Sequence, residues 1–117
     1  MTDRVPDCLF CGIAAGAIPA DVVYEDPDVV AFRDIAPRAP THVLVIPRRH
    51  IADAHSLTDA DGEILARLFE VMRRIAGDAG LGDGYRIVTN VGPQAGQSVF
   101  HLHFHLLGGR TMSWPPG

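Results

Sequence analysis

Apolar residues recur along this chain with two periods. Between Val99 and Gly109 the sequence VFHLHFHLLGG alternates, so in an extended chain Leu102, Phe104 and Leu106 share one face and His101, His103 and His105 the other. Shorter strand-like runs occupy Val22–Glu25, Val29–Arg33, His42–Ile46 and Tyr85–Val91. The turn-forming Asp26-Pro27-Asp28 joins the first two into a hairpin, and Pro47 stops the third. The second period is helical. Ile64, Leu65, Leu68, Val71, Met72 and Ile75 form one stripe, with Arg67, Glu70, Arg73 and Arg74 mostly off it. Ser56 or Thr58 caps this helix, Asp59, Asp61 and Glu63 suit its positive end, and Gly77, Gly80 and Gly82 end it. A short helix is expected from Leu9 to Gly16, with Pro19 preventing continuation.

This order predicts an α+β domain: a five-stranded antiparallel sheet, one long helix covering a face, and a short N-terminal helix. The 117 residues fit one domain, 1–117, with one core and no internal repeat. Asp34 to Pro40 is a proline-rich loop, and Gly92 to Ser98 leads into the histidine strand. The tail Trp114-Pro115-Pro116-Gly117 suits neither a helix nor a central strand. Its tryptophan either packs on its own domain or reaches a partner, the latter preferred.

Composition narrows the function. A net charge of -4 disfavours nucleic-acid and membrane-surface binding. All ten basic residues are arginine, so no Walker-type phosphate loop, which needs a lysine, is possible. No apolar run is long enough to span a bilayer, and the polar, acidic Met1–Asp7 is no signal peptide, so the cytoplasm is the expected compartment.

The histidine face admits three readings: polar filler, a catalytic metal held by imidazoles, or nucleophilic and acid–base chemistry. At about 3.3 Å per residue His101 and His105 lie about 13 Å apart, so at most two of the three can reach one ion. The two cysteines form Cys8-Leu9-Phe10-Cys11, which spacing alone leaves open as a redox pair, half of a zinc site, or two unrelated thiols. His55 has no evident role and is expected in solvent.

The run His-Leu-His-Phe-His-Leu-Leu resembles the H-x-H-x-H signature of the histidine triad family. Matching segments extend over nearly the whole chain: Asp34-Ile35-Ala36-Pro37, Ala39-Pro40-Thr41-His42, Ile46-Pro47-Arg48-Arg49-His50, Asn90-Val91-Gly92, Gly96-Gln97-Ser98 and the Trp-Pro-Pro-Gly tail. They are similar to the nucleotide-binding branch of that family, and the tail separates it from the dinucleoside polyphosphate hydrolases.

The resemblance implies a purine nucleoside phosphoramidase that cleaves the P–N bond of adenosine 5'-phosphoramidate or its relatives. His103 would attack phosphorus to give a nucleotidyl-imidazole, which water hydrolyses. Ser98 and His42 would serve the leaving amine, and His105 with the Gly96, Gln97 and Ser98 backbone the phosphate oxygens. Asp34 would hold the ribose hydroxyls, Ile18, Phe32 and Ile35 the base, and Asn90 would lie at the phosphate end. Alternatives are other nucleotidyl substrates, such as dinucleoside polyphosphates or acyl-adenylates, or a nucleotide-binding regulatory module. The C-x-x-C is similar to that of bacterial members, implying a structural zinc on Cys8, Cys11, His50 and His101. Family members form homodimers by joining their sheets, each tail reaching the other subunit's site. Neither purine choice nor the physiological leaving group follows from apolar side chains alone.

Overall fold

Alternation builds the sheet, and the helical stripe covers it. In the computed structural model, which describes residues 4–117, the strands are β1 (Val22–Glu25), β2 (Val29–Arg33), β3 (Thr41–Pro47), β4 (Tyr85–Val88) and β5 (Phe104–Gly108). Met1, Thr2 and Asp3, which open the polar N-terminal segment, lie outside the described residues. All pairings are antiparallel, in the order β1-β2-β3-β5-β4. The short helix is α1 (Leu9–Ala14) and the long one α2 (Gly62–Asp78). No helix among the described residues is long and apolar enough to cross a membrane.

The two faces of the sheet are buried differently. On one, Leu68, Val71, Met72 and Ala76 of α2 pack on Val29, Ala31, Val43, Val45, Leu102, Phe104 and Leu106. On the other, Phe10 and Ala14 of α1 meet Val30, Phe32, Leu44 and Ile46. Central strands β2 and β3 are thus covered on both sides, which explains their near-continuous apolar runs. Leu68 is fully buried. Leu68→Ala is expected to cost about 3 kcal/mol, read as a lower urea midpoint at unchanged slope.

Thr58 is the cap that starts the long helical segment. Its hydroxyl accepts from the Ala60 amide at 3.2 Å, and its own amide donates to Asp61 Oδ2 at 2.9 Å, a capping box leading through a 3-10 turn into α2. At the other end Gly80 takes φ +73°, and the Leu81 amide returns to the Ala76 carbonyl at 2.9 Å. The hairpin is bolted to α2 by a residue the stripe left on the polar side: Arg67 donates to Asp26 Oδ2 at 2.6 Å and to Tyr24 Oη at 2.6 Å. Burial pushes the Asp26 carboxyl up, but bonds from Tyr24, the Asp28 and Val29 amides and Arg67 outweigh it and hold the group at about 2.

Two strands are shorter than the pattern predicts. The β5 ladder begins at Phe104 rather than Val99, because the Leu102 amide donates to the Ile51 carbonyl, 2.6 Å away and outside the ladder. β4 ends at Val88 rather than Val91; beyond it the Thr89 hydroxyl donates to the His103 carbonyl at 2.8 Å. The two-residue alternation survives both changes. Leu102, Phe104 and Leu106 belong to the core under α2, and the three histidines take the opposite face.

Candidate functional site

On that face His101, His103 and His42 each set one nitrogen against a main-chain group that can only donate or only accept, which assigns their protons, and His105 follows from His42. His103 Nδ1 lies 2.7 Å from the His101 carbonyl, so Nδ1 carries the hydrogen and Nε2 keeps its lone pair free. The ring is 7% exposed and meets the edge of Phe10, centroids 5.0 Å apart at 88°. An imidazole held this way has its Nε2 directed by the backbone, the arrangement that nucleophilic chemistry at that atom requires.

The His42–His105 pair is polarised in one direction. The Arg38 amide donates to His42 Nδ1 at 3.0 Å, so the single His42 proton sits on Nε2. That nitrogen lies 2.9 Å from His105 Nδ1 and 3.4 Å from Asp34 Oδ2. His105 therefore accepts at Nδ1 and presents Nε2–H. Asp34, His42 and His105 have ligand atoms close enough together for a metal ion. An ion on His42 Nε2 would displace the proton that the Arg38 amide prevents from moving to Nδ1, requiring an imidazolate. His42 and His105 are thus a hydrogen-bonded pair with the Asp34 carboxylate beside it, rather than part of a metal centre.

Burial keeps this pair neutral. It pushes His105 down to about 4, helped by the neighbouring His103 and His42 and opposed by Asp34. Burial also lowers His42, with Asp34 opposing and Arg38 assisting. Groups held below their unfolded value of 6.5 bind fewer protons in the folded chain, so stability is full above about 6.5 and falls as the pH drops toward 4. A melting temperature lower by at least about 5 °C at pH 4.5 than at pH 7.5 is expected, and His105→Gln is expected to shrink the difference.

A second cluster lies at the start of α1. Cys8 caps the helix, its Sγ accepting from the Cys11 amide at 3.3 Å, which turns both sulfurs to one side. His101 Nε2–H donates to the Pro47 carbonyl at 2.8 Å, leaving its Nδ1 lone pair 3.3 Å from Cys8 Sγ and 3.5 Å from Cys11 Sγ. His50 Nδ1 is 3.3 Å from Cys11 Sγ. Metal–ligand bonds of about 2.0–2.3 Å in a tetrahedron require ligand separations of about 3.3–3.8 Å, so the donor set fits a metal ion. Burial pushes the Cys11 thiol up, and a cation is what would let it ionise there.

The remaining candidates stand apart from these clusters. The loop before the histidines carries Gly92 at φ +85° and Gly96 at φ +94°, conformations that favour glycine. Gln97 turns inward: its carboxamide accepts from the Gly92 amide at 2.8 Å and donates to the Ala52 carbonyl at 2.9 Å, which leaves only its backbone for a ligand. Ser98 is exposed, and its hydroxyl makes no hydrogen bond among the described residues. Asn90 is half-buried. Phe32 lies under Phe10, ring centroids 5.4 Å apart, whereas Ile18 is on the surface and Ile35 is wholly in solvent. His55 is exposed. Phe10, Thr89 and the Arg38 amide were not identified by sequence reasoning; Phe10 alone left a signal, being an aromatic between two candidate ligands.

Residues 15–112 match a family model described as HIT domain. An uncharacterised HIT-like protein of Synechococcus elongatus is 50% identical over 111 residues, covering 95% of this chain and 97% of that protein. A crystal structure of a HIT family hydrolase from Legionella pneumophila is 54% identical with a TM-score of 0.93, covering 95% of this chain and 100% of that one. A histidine triad nucleotide-binding protein from Candida albicans superimposes with a TM-score of 0.80 at 33% identity, over 93% of this chain and 83% of that one.

Proposed function

The chain belongs to the HIT domain family, and from that premise we propose that it hydrolyses the P–N bond of purine nucleoside 5'-phosphoramidates through a nucleotidyl-histidine. The observation that carries this reading is the bond from His103 Nδ1 to the His101 carbonyl, which leaves Nε2 free beside a neutral His105. Nε2 forms a bond to the α-phosphorus as the P–N bond breaks, and the amine departs with a proton. Water then attacks the nucleotidyl-imidazole, giving the nucleoside monophosphate and regenerating His103.

His105 offers Nε2–H to a non-bridging phosphate oxygen, together with the backbone amides of Gly96, Gln97 and Ser98. We assign the proton of the leaving amine to the Ser98 hydroxyl, which regains it from the water that attacks in the second step; His42 acts through His105, which it orients by donating Nε2–H to His105 Nδ1. Asp34 takes the ribose hydroxyls, Ile18, Phe32 and Ile35 the purine, and Asn90 the phosphate end. Zinc in a closed Cys2His2 set of Cys8, Cys11, His50 and His101 is structural, having no open position. A homodimer is supported by β4, which among the described residues pairs with β5 alone and so offers a free edge, and by Trp114, 82% exposed on the tail.

The test is a single-turnover reaction with adenosine 5'-phosphoramidate, quenched early and mapped by mass spectrometry. An adenylyl group on His103 is the expected result. Binding of adenosine monophosphate with neither adduct nor product would replace the enzyme by a nucleotide-binding module.

A further inference from the structure

His101 belongs to both clusters at once. Its ring faces the two cysteine sulfurs through Nδ1 and is anchored to the Pro47 carbonyl through Nε2, while its own carbonyl accepts the Nδ1–H of His103. A second path runs through α1. Phe10, between Cys8 and Cys11 on the same turn, sets its ring edge-on against His103 at 5.0 Å, and also contacts His101 at 6.1 Å.

We propose that the four-ligand site positions the reactive nitrogen of His103: an ion bound by Cys8, Cys11, His50 and His101 fixes the His101 carbonyl and the Phe10 ring between which the His103 ring is held. His101 and Phe10 are then positioning residues for the reaction, and the metal does more than stabilise the N-terminus. The inference rests on the zinc and nucleophile assignments above. It follows from the size of α1, which has six residues and is too short to hold its own conformation. With the ligands unlinked, Phe10 and the His101 backbone are free to shift, and an imidazole whose partner carbonyl moves loses its preference for the Nδ1–H form.

Two-bond proton–nitrogen spectra of the full chain, labelled at histidine, read that preference directly. Zinc-loaded protein is expected to show His103 as a single Nδ1–H tautomer. After removal of zinc by a chelator the pattern is expected to become averaged between tautomers, and adenylyl transfer to His103 to slow at least about tenfold, both reversed by adding zinc. His50 touches the cluster but not His103, so His50→Ala should reproduce the stripped spectrum and His50→Cys, which restores a ligand, should not. A His103 spectrum unchanged when measured zinc is removed overturns the coupling and leaves the zinc assignment standing. Failure of the protein to take up zinc at all overturns both. A zinc-dependent spectrum without an adduct supports the coupling and rejects the phosphoramidase.

Discussion

His103→Ala is expected to lower turnover of adenosine 5'-phosphoramidate by about four orders of magnitude or more, with affinity for adenosine monophosphate changed less than about tenfold. The asymmetry follows from the roles of the neighbours. In the proposed site His105 and the Gly96–Ser98 backbone remain to bind phosphate, but among the described residues no other imidazole near the site offers an uncommitted lone pair: His42 Nδ1 is taken by the Arg38 amide and His105 Nδ1 by His42. The substitution also leaves the His101 carbonyl without its partner, at a cost of about 1–3 kcal/mol. Rates therefore belong at a temperature where circular dichroism shows the variant fully folded. Turnover within tenfold of the parent protein would mean that another group attacks phosphorus.

The second large effect concerns stability. Cys8→Ser combined with Cys11→Ser is expected to bring bound zinc to background and to lower the melting temperature by more than about 10 °C. α1 has too few residues to persist alone, yet it buries Phe10, Cys11 and Ala14 and supplies part of the core on the histidine side of the sheet. With both sulfurs gone, His50 and His101 are left as two ligands of four. Elemental analysis and calorimetry on the same preparation separate the outcomes: zinc retained by the double variant sinks the ligand assignment, whereas zinc lost with an unchanged melting temperature sinks the structural role.

Much of this architecture was legible because it follows from periodicity. The alternation from Val99 identified the face that carries three imidazoles, and the stripe from Ile64 to Ile75 identified the covering helix, with a cap at Ser56 or Thr58 of which the structure uses Thr58. The family, too, was legible in the spacing of the histidines and the segments around them. The pattern did not show where hydrogen-bond ladders stop. The chain bends at Val99 and His101, and the Leu102 amide pairs with Ile51, beyond the end of β3, yet the same side-chain alternation spans ladder and loop alike. Nor did it show what fixes each imidazole. The Arg38 amide and the His101 carbonyl are backbone groups, and backbone groups have no letter in a sequence. Arg67 was placed off the apolar stripe, which was right for the helix but silent about the bond to Asp26 formed across the fold. Gln97 sat in a motif whose neighbours suggested phosphate binding, and its side chain is instead spent on shaping the loop.

The protons of this site are assigned by main-chain atoms, and that bears on any attempt to transplant it. A designer who copied H-x-H-x-H onto a strand of another sheet would reproduce the spacing and the alternation but receive imidazoles free to exchange tautomers, each spending only part of its time with a usable lone pair. The portable unit is larger: the strand together with the Pro47 and His101 carbonyls and the Arg38 amide, three fixed points that no choice of side chain can substitute.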